Sequence, residues 1–168
     1  RYVSRPQNIG KATTQGIELE ARFRLDQLID DGPRTELRAN ASVFRSHVDA
    51  VPGPDNRLAE QPGGTLNFGV DHRFRGTPFA VGGNFNHTPG YRTRLEADRF
   101  IAQSEKNVLD AYALWTLSPE LKLRLSLASA LAPDSASTTI VDSAALGETN
   151  RTTTRSFVNT QLRLEMKL

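Results

Sequence analysis

Arginines grouped beside a tyrosine are the residues of this chain best suited to chemistry. Tyr91-Arg92-Thr93-Arg94, with Arg99 five residues further on, gathers three guanidiniums and a phenol within nine positions. A guanidinium presents a planar fork of donors that matches the two oxygens of a carboxylate or phosphate, so this group can grip an anion. The same residues also suit a plain solvated loop. A second ionic group, Glu18, Glu20, Arg22 and Arg24, holds alternate positions, which suits either contact with a polar partner or mutual pairing along one face.

Other chemistries find little to work with. His47, His72 and His87 are too scattered for a metal-ligand spacing, and no cysteine is present, so neither a thiolate zinc site nor a disulfide framework can form. No nucleophile elbow or Ser/His/Asp spacing stands out. Gly63-Gly64 and Gly82-Gly83 lack the strand–loop–helix setting and the Lys-Ser/Thr partner of a phosphate loop. In strands, such glycines mark bulges or close approaches of backbone. No covalent chemistry and no cofactor are expected. Lys and Arg number 21 against 19 Asp and Glu, a net charge of +2, so no field for nucleic acid follows.

The elements that must position these residues are strands. Ile17, Leu19, Ala21, Phe23 and Leu25 alternate with Glu18, Glu20, Arg22, Arg24 and Asp26. Leu66, Phe68 and Val70 alternate with Asn67, Gly69 and Asp71. Leu121 to Leu127 and Leu162 to Leu168 repeat the pattern, with Lys122, Arg124, Arg163, Glu165 and Lys167 between the apolar residues. Successive strand residues point to opposite faces, so each segment has one apolar and one polar side. Seven strands are expected near 12–27, 34–47, 62–74, 78–90, 106–117, 121–132 and 154–168.

Their connections alternate in length. Asp30–Pro33, Arg75–Pro78 and Ser118–Glu120 are tight, whereas Val48–Gln61, Tyr91–Lys106 and Ala132–Arg155 are long and polar. Outer-membrane barrels have this asymmetry, with short periplasmic turns and long extracellular loops. The longest apolar run is only Ala111–Trp115, far short of the roughly 18 residues of a membrane-spanning helix, but a barrel strand needs only about 10 alternating residues. Phe74, Phe79 and Trp115 sit near the short turns, as an interfacial girdle would. His72 falls on the apolar parity beside Phe74. A soluble β-sandwich, such as a carbohydrate-binding module, would show the same alternation with its apolar faces turned inward. Seven hairpin-linked strands leave the first and last running in the same direction, so they cannot close on each other antiparallel, and their open edges would be intolerable in lipid.

Asn8-Ile9-Gly10-Lys11-Ala12 followed by Gly16-Ile17-Glu18-Leu19-Glu20 resembles the late-barrel pattern of TonB-dependent outer-membrane receptors. Arg57-Leu58-Ala59-Glu60-Gln61-Pro62 is similar to that family's arginine-bearing return into the next strand. Asp110-Ala111-Tyr112 with Leu117-Ser118-Pro119-Glu120-Leu121 is similar to its penultimate periplasmic hairpin. The final strand resembles the signal read by the barrel assembly machinery, although it ends in Leu168 where the family usually has an aromatic. The resemblance covers essentially all of 1–168.

It implies an antiparallel transmembrane β-barrel, of which this chain is the C-terminal segment: about seven up-and-down strands out of roughly 22. A separate N-terminal plug, with no counterpart in these residues, would fill the lumen and contact TonB. The implied place is the bacterial outer membrane and the implied activity is uptake of a scarce ligand, most often a ferric siderophore. On that view the ionic face of the first strand can meet the plug. Tyr91, Arg92, Arg94 and Arg99 in an extracellular loop can meet the anionic ligand or lipopolysaccharide phosphate. Asn86-His87-Thr88 and Asn150-Arg151-Thr152 match glycosylation sequons, which carry little weight in a bacterial protein. A passive porin, without a plug, is the membrane alternative.

Overall fold

The computed structural model describes residues 10–143 and 146–167; Asn8, Ile9 and Leu168 of the motifs above lie outside them. Among the described residues, eleven strands form two antiparallel sheets. β1 (Ala12–Arg24), β2 (Arg34–Val48), β3 (Gly64–Arg73), β4 (Phe79–Thr88), β7 (Lys106–Thr116), β8 (Leu121–Ala128) and β11 (Asn159–Met166) make a seven-stranded sheet in that order. These are the seven strands expected from the alternation, each paired to the next in an up-and-down wall. β1 and β11 form its two edges, and the sheet does not close.

Polarity separates its faces. Ile17, Leu19, Val43, Leu162, Leu164 and Met166 point outward and are all more than three-fifths exposed. The buried apolar residues, Val48, Val51, Phe100 and Ala136, include none of these rows. A sandwich would have covered the rows with a second sheet, so the soluble alternative does not fit. The other face carries Arg22, Glu36, Arg38, Asp71, Tyr112 and Arg124. Two glycines let neighbouring strands approach closely, Gly16 on this face and Gly64 on the outer one. A Cβ at Gly16 would lie 2.8 Å from the Phe44 ring, directly across the β1–β2 pair, and one at Gly64 would strike the Ser42 carbonyl.

The short connections all lie at one end. β1 stops at Arg24 rather than continuing to residue 27, because a single helical turn, α1 (Leu25–Leu28), follows. Arg24 grips the Asp26 carboxylate there at 3.1 and 2.5 Å, and Ile29 N–H donates to the Leu25 carbonyl at 3.0 Å. Gly76 adopts a φ of +68° in the β3–β4 turn, a conformation that glycine adopts without strain. Phe79 and Trp115 stack at 5.4 Å on this end of the outer face, and His72 meets Phe74 edge-on at 4.6 Å.

The second sheet departs from the sequence expectation. Two of the long connections are not loops throughout: they contain β5 (Tyr91–Glu96), β6 (Arg99–Gln103), β9 (Ser135–Ser143) and β10 (Leu146–Thr154), in the order β10-β9-β6-β5. Threonine, valine and isoleucine favour the pleated backbone, and the hairpins below already hold these segments side by side. The upper order repeats that of β11-β8-β7-β4, so the upper sheet prolongs the wall. The β5–β6 register continues that of β4–β7 across Pro89-Gly90 and Ser104-Glu105 without a slip. On the β8–β9 line the register shifts by two residues, at a stretch where Ser129 and Ala132 take φ of +54° and +43°.

Candidate functional site

The upper hairpin assembles part of the expected arginine group. Alternation puts Arg92 and Arg94 on one face of β5, with Phe100 opposite Arg94 on β6. Their guanidinium carbons lie 4.1 and 4.6 Å from the centroid of the Phe100 ring, which is only 6% exposed. Cations over an aromatic face are attracted to its negative quadrupole, so the ring holds two like charges in register.

The loop 49–63 completes this corner. Arg94 donates to the carbonyls of Pro52 and Gly53 at 3.2 and 2.9 Å, and its backbone N–H donates to the Asp55 carbonyl at 2.7 Å. Arg92 stands 4.0 Å from the Asp55 carboxylate. Asn56 fastens the loop root by donating to the carbonyls of Val48 and Val51. The loop thereby covers the free edge of β5, where unpaired backbone would otherwise be exposed.

Tyr91 and Arg99 occupy the opposite parity. Tyr91 is half-buried near Glu60, and burial first, then that carboxylate, push its phenol above the usual range. Arg99 sits across from Val141 beside Ser137, Thr139, Glu148, Asn150 and Thr152. The structure therefore joins Arg92 and Arg94 through Phe100 and leaves Tyr91 and Arg99 on the other side of the sheet. Sequence spacing named the arginines but not Phe100 or Asp55, whose roles depend on a register and on a separate loop.

A second arrangement runs across the inner face of the wall. Arg22 pairs with Glu36 at 3.0 Å, Glu36 also with Arg38 at 3.6 Å, and Arg38 with Asp71 at 2.5 Å. Asp71 accepts a hydrogen bond from the Tyr112 hydroxyl, Arg124 lies 4.5 Å over the Tyr112 ring, and Arg124 faces Glu165 at 3.8 Å. Asp71 is on β3 and Tyr112 on β7, so their bond crosses β4 at Gly82. A Cβ there would stand 2.5 Å from the tyrosine ring and collide with the Asp71 carboxylate. Gly82 is thus no bulge, since the ladder is regular on both sides; it is an opening through which two side chains meet. Of the ionic residues first picked out on β1, Arg22 and Arg24 are paired, while Glu18 and Glu20 make no ion pair among the described residues.

The histidines serve local contacts. His47 meets Asn56 and Asp49, His72 hydrogen-bonds Thr35 Oγ1 at 2.7 Å, and His87 hydrogen-bonds Asn107 at 2.7 Å. Among the described residues no three His, Asp or Glu side chains gather as metal ligands.

An open antiparallel wall has emerged, with an uncovered apolar exterior, a cross-linked ionic interior, tight turns at one end and tall hairpins at the other. Compared with known families, residues 2–159 match the one described as TonB dependent receptor-like, beta-barrel. The chain belongs to this family. No curated protein and no solved structure matches it. TonB-dependent receptors are bacterial outer-membrane receptors and transporters that work with TonB. The family gives the two faces their meaning: the apolar rows are the lipid side of a receptor barrel, and the ionic row lines its lumen.

Proposed function

We propose that this chain is the C-terminal seven-stranded section of a TonB-dependent receptor barrel that takes up an anionic ligand, a ferric siderophore fitting best. Earlier strands would pair with β1 and β11 to seal the wall, and a plug would fill the lumen and carry the link to TonB. Residues 49–63 and the two upper hairpins would then stand on the extracellular side, leaving the short turns in the periplasm. Lipopolysaccharide would surround the outer face, and the barrel assembly machinery would read the last strand.

The observation that carries the ligand reading is the Arg92–Phe100–Arg94 stack. Two guanidiniums are held side by side on one face of the upper hairpin, and the acid facing them, Asp55, is 4.0 Å from Arg92. An incoming carboxylate, catecholate or hydroxamate oxygen can replace that contact at normal hydrogen-bond distance. Tyr91 and Arg99, on the other parity, would meet ligand or lipopolysaccharide phosphate from the opposite side of the sheet.

The test is a ligand screen on the complete receptor. Ferric siderophores of catecholate, hydroxamate and carboxylate type are titrated against it while intrinsic fluorescence is followed. The triple variant Arg92→Ala, Arg94→Ala and Arg99→Ala should weaken the ligand found by roughly a hundredfold, the scale of losing charged hydrogen bonds. Unchanged affinity would remove these arginines from the binding site.

A further inference from the structure

We propose that Asp55 is a resident competitor at the arginine pair, a fixed carboxylate that occupies Arg92 until a stronger anion displaces it and so sets the concentration at which the site fills. The inference rests on the reading that Arg92 and Arg94 receive an anionic ligand, and it names how that site is regulated. The Asp55 carboxylate stands 4.0 Å from Arg92 Nε, and both side chains are roughly half exposed. At that distance the charges attract but no hydrogen bond has formed. Among the described residues the Asp55 side chain makes no other ion pair or hydrogen bond.

The weak contact sits on a firm mount. The Asp55 carbonyl accepts from the backbone N–H groups of Arg57 at 2.8 Å and Arg94 at 2.7 Å, and the Asn56 carbonyl accepts from Val48 N–H at 2.8 Å. These bonds tie the loop to β5 on one side and to β2 on the other. Asp55 itself takes a φ of +68°, a left-handed conformation in which Asp and Asn are enriched among residues other than glycine. Its carboxylate is therefore returned to Arg92 whenever a ligand leaves. Arg94 is held differently: Nη1 donates to the Pro52 and Gly53 carbonyls, and the guanidinium makes no ion pair among the described residues. One carboxylate thus stands against two guanidiniums on one ring, so attraction for an anion persists while Asp55 is in place.

A group that fills the site part of the time weakens every ligand that must displace it by the same factor. For an exposed ion pair that factor is about fivefold at most. Weakly held simple anions then fall further from filling the site, while a tightly held ligand still saturates it. Asp55→Asn tests this directly, because Asn keeps the shape and suits the same backbone while removing the charge. Citrate serves as the carboxylate probe, titrated by calorimetry at low salt against the complete receptor in detergent and against its variants.

Asp55→Asn should bind citrate about fivefold more tightly than the unaltered receptor, and adding Arg92→Ala should abolish that gain, since the two residues act through one contact. A gain that survives Arg92→Ala would overturn the competitor, by showing a general field in place of a contact. Looser binding in Asp55→Asn would overturn it too, because Asp55 would then be helping to hold the ligand. Equal affinity in Asp55→Asn, with binding lost when Arg92 and Arg94 are both changed to Ala, would overturn the competitor and leave the arginine site standing. Citrate binding that none of these changes alters, or no binding at all, would remove the arginine site itself and the competitor with it.

Discussion

The wall and the upper sheet are built from the same hairpins but held by different forces. In the wall, outward leucines, valines and isoleucines are exposed, so the sheet depends on an apolar surrounding and on lateral ties across its inner face. Above the break at Pro89-Gly90 and Ser104-Glu105, the outward rows become mixed: Ser137, Thr139, Asn150 and Thr152 stand there beside Tyr91, Arg99, Ile101 and Val141. Contacts in this region are local: a buried phenylalanine, two arginines and a loop stitched to the edge strand. One hairpin therefore crosses two environments without changing register, and its side chains change at the crossing.

The contrast can be broken most severely from the outside. Leu125→Arg puts a charge in the lipid-facing row of β8, which costs about 2–4 kcal/mol near the membrane midplane. The same change at Thr139, on the upper sheet, should stay within about 0.5 kcal/mol. Urea-dependent folding into vesicles would compare the two. Equal effects would mean that the two sheets share one environment.

Gly82→Val acts from the inside. Its side chain would occupy the opening where Asp71 meets Tyr112, and overpacking of this kind costs about 1–3 kcal/mol. A useful control is Gly76→Ala, which meets no neighbour but must hold a φ of +68°. It should lose about 1 kcal/mol through strain at the turn without touching the inner network. In the upper sheet, Arg94→Ala removes two hydrogen bonds to the 49–63 loop, each worth about 1 kcal/mol. Hydrogen exchange should then quicken in that loop and leave β7 and β8 unchanged. The smallest effect is expected for Arg22→Ala at the exposed end of the inner row, about 0.5 kcal/mol, since exposed ion pairs contribute little.

What could be read in the sequence follows the same division. Wall strands announce themselves because one face is apolar and the other ionic, as in Leu121 to Leu127 against Lys122 and Arg124. The upper strands hide because they lack a clean period of two: polar runs such as Ser137, Thr138, Thr139 and Thr152, Thr153, Thr154 put polar residues on both faces, and Phe100-Ile101 and Ile140-Val141 put apolar residues on both. For that reason the long connections read as loops. Pairings across strands are hidden for another reason. Asp71 and Tyr112 are 41 residues apart, and their meeting depends on two turn lengths and on a glycine between them. Gly82 is visible in the sequence as a strand glycine, but its role as an opening depends on the register. Arg92 and Arg94 could be named from spacing, whereas Phe100 and Asp55 required the fold of the hairpin and of the loop.

The alternating rows of the wall face lipid on one side and an aqueous or polar lumen on the other. The chain has no cysteine, so single-cysteine variants at 121–128 introduce one label each into this stretch. Spin labels on these variants, in the complete receptor reconstituted in vesicles, can be probed with oxygen, which partitions into lipid, and with a water-soluble nickel chelate. Labels at Leu123, Leu125 and Leu127 should respond to oxygen and resist nickel, while those at Lys122, Arg124 and Ser126 should resist oxygen. Accessibility without a period of two, or nickel access at every position, would contradict the barrel wall.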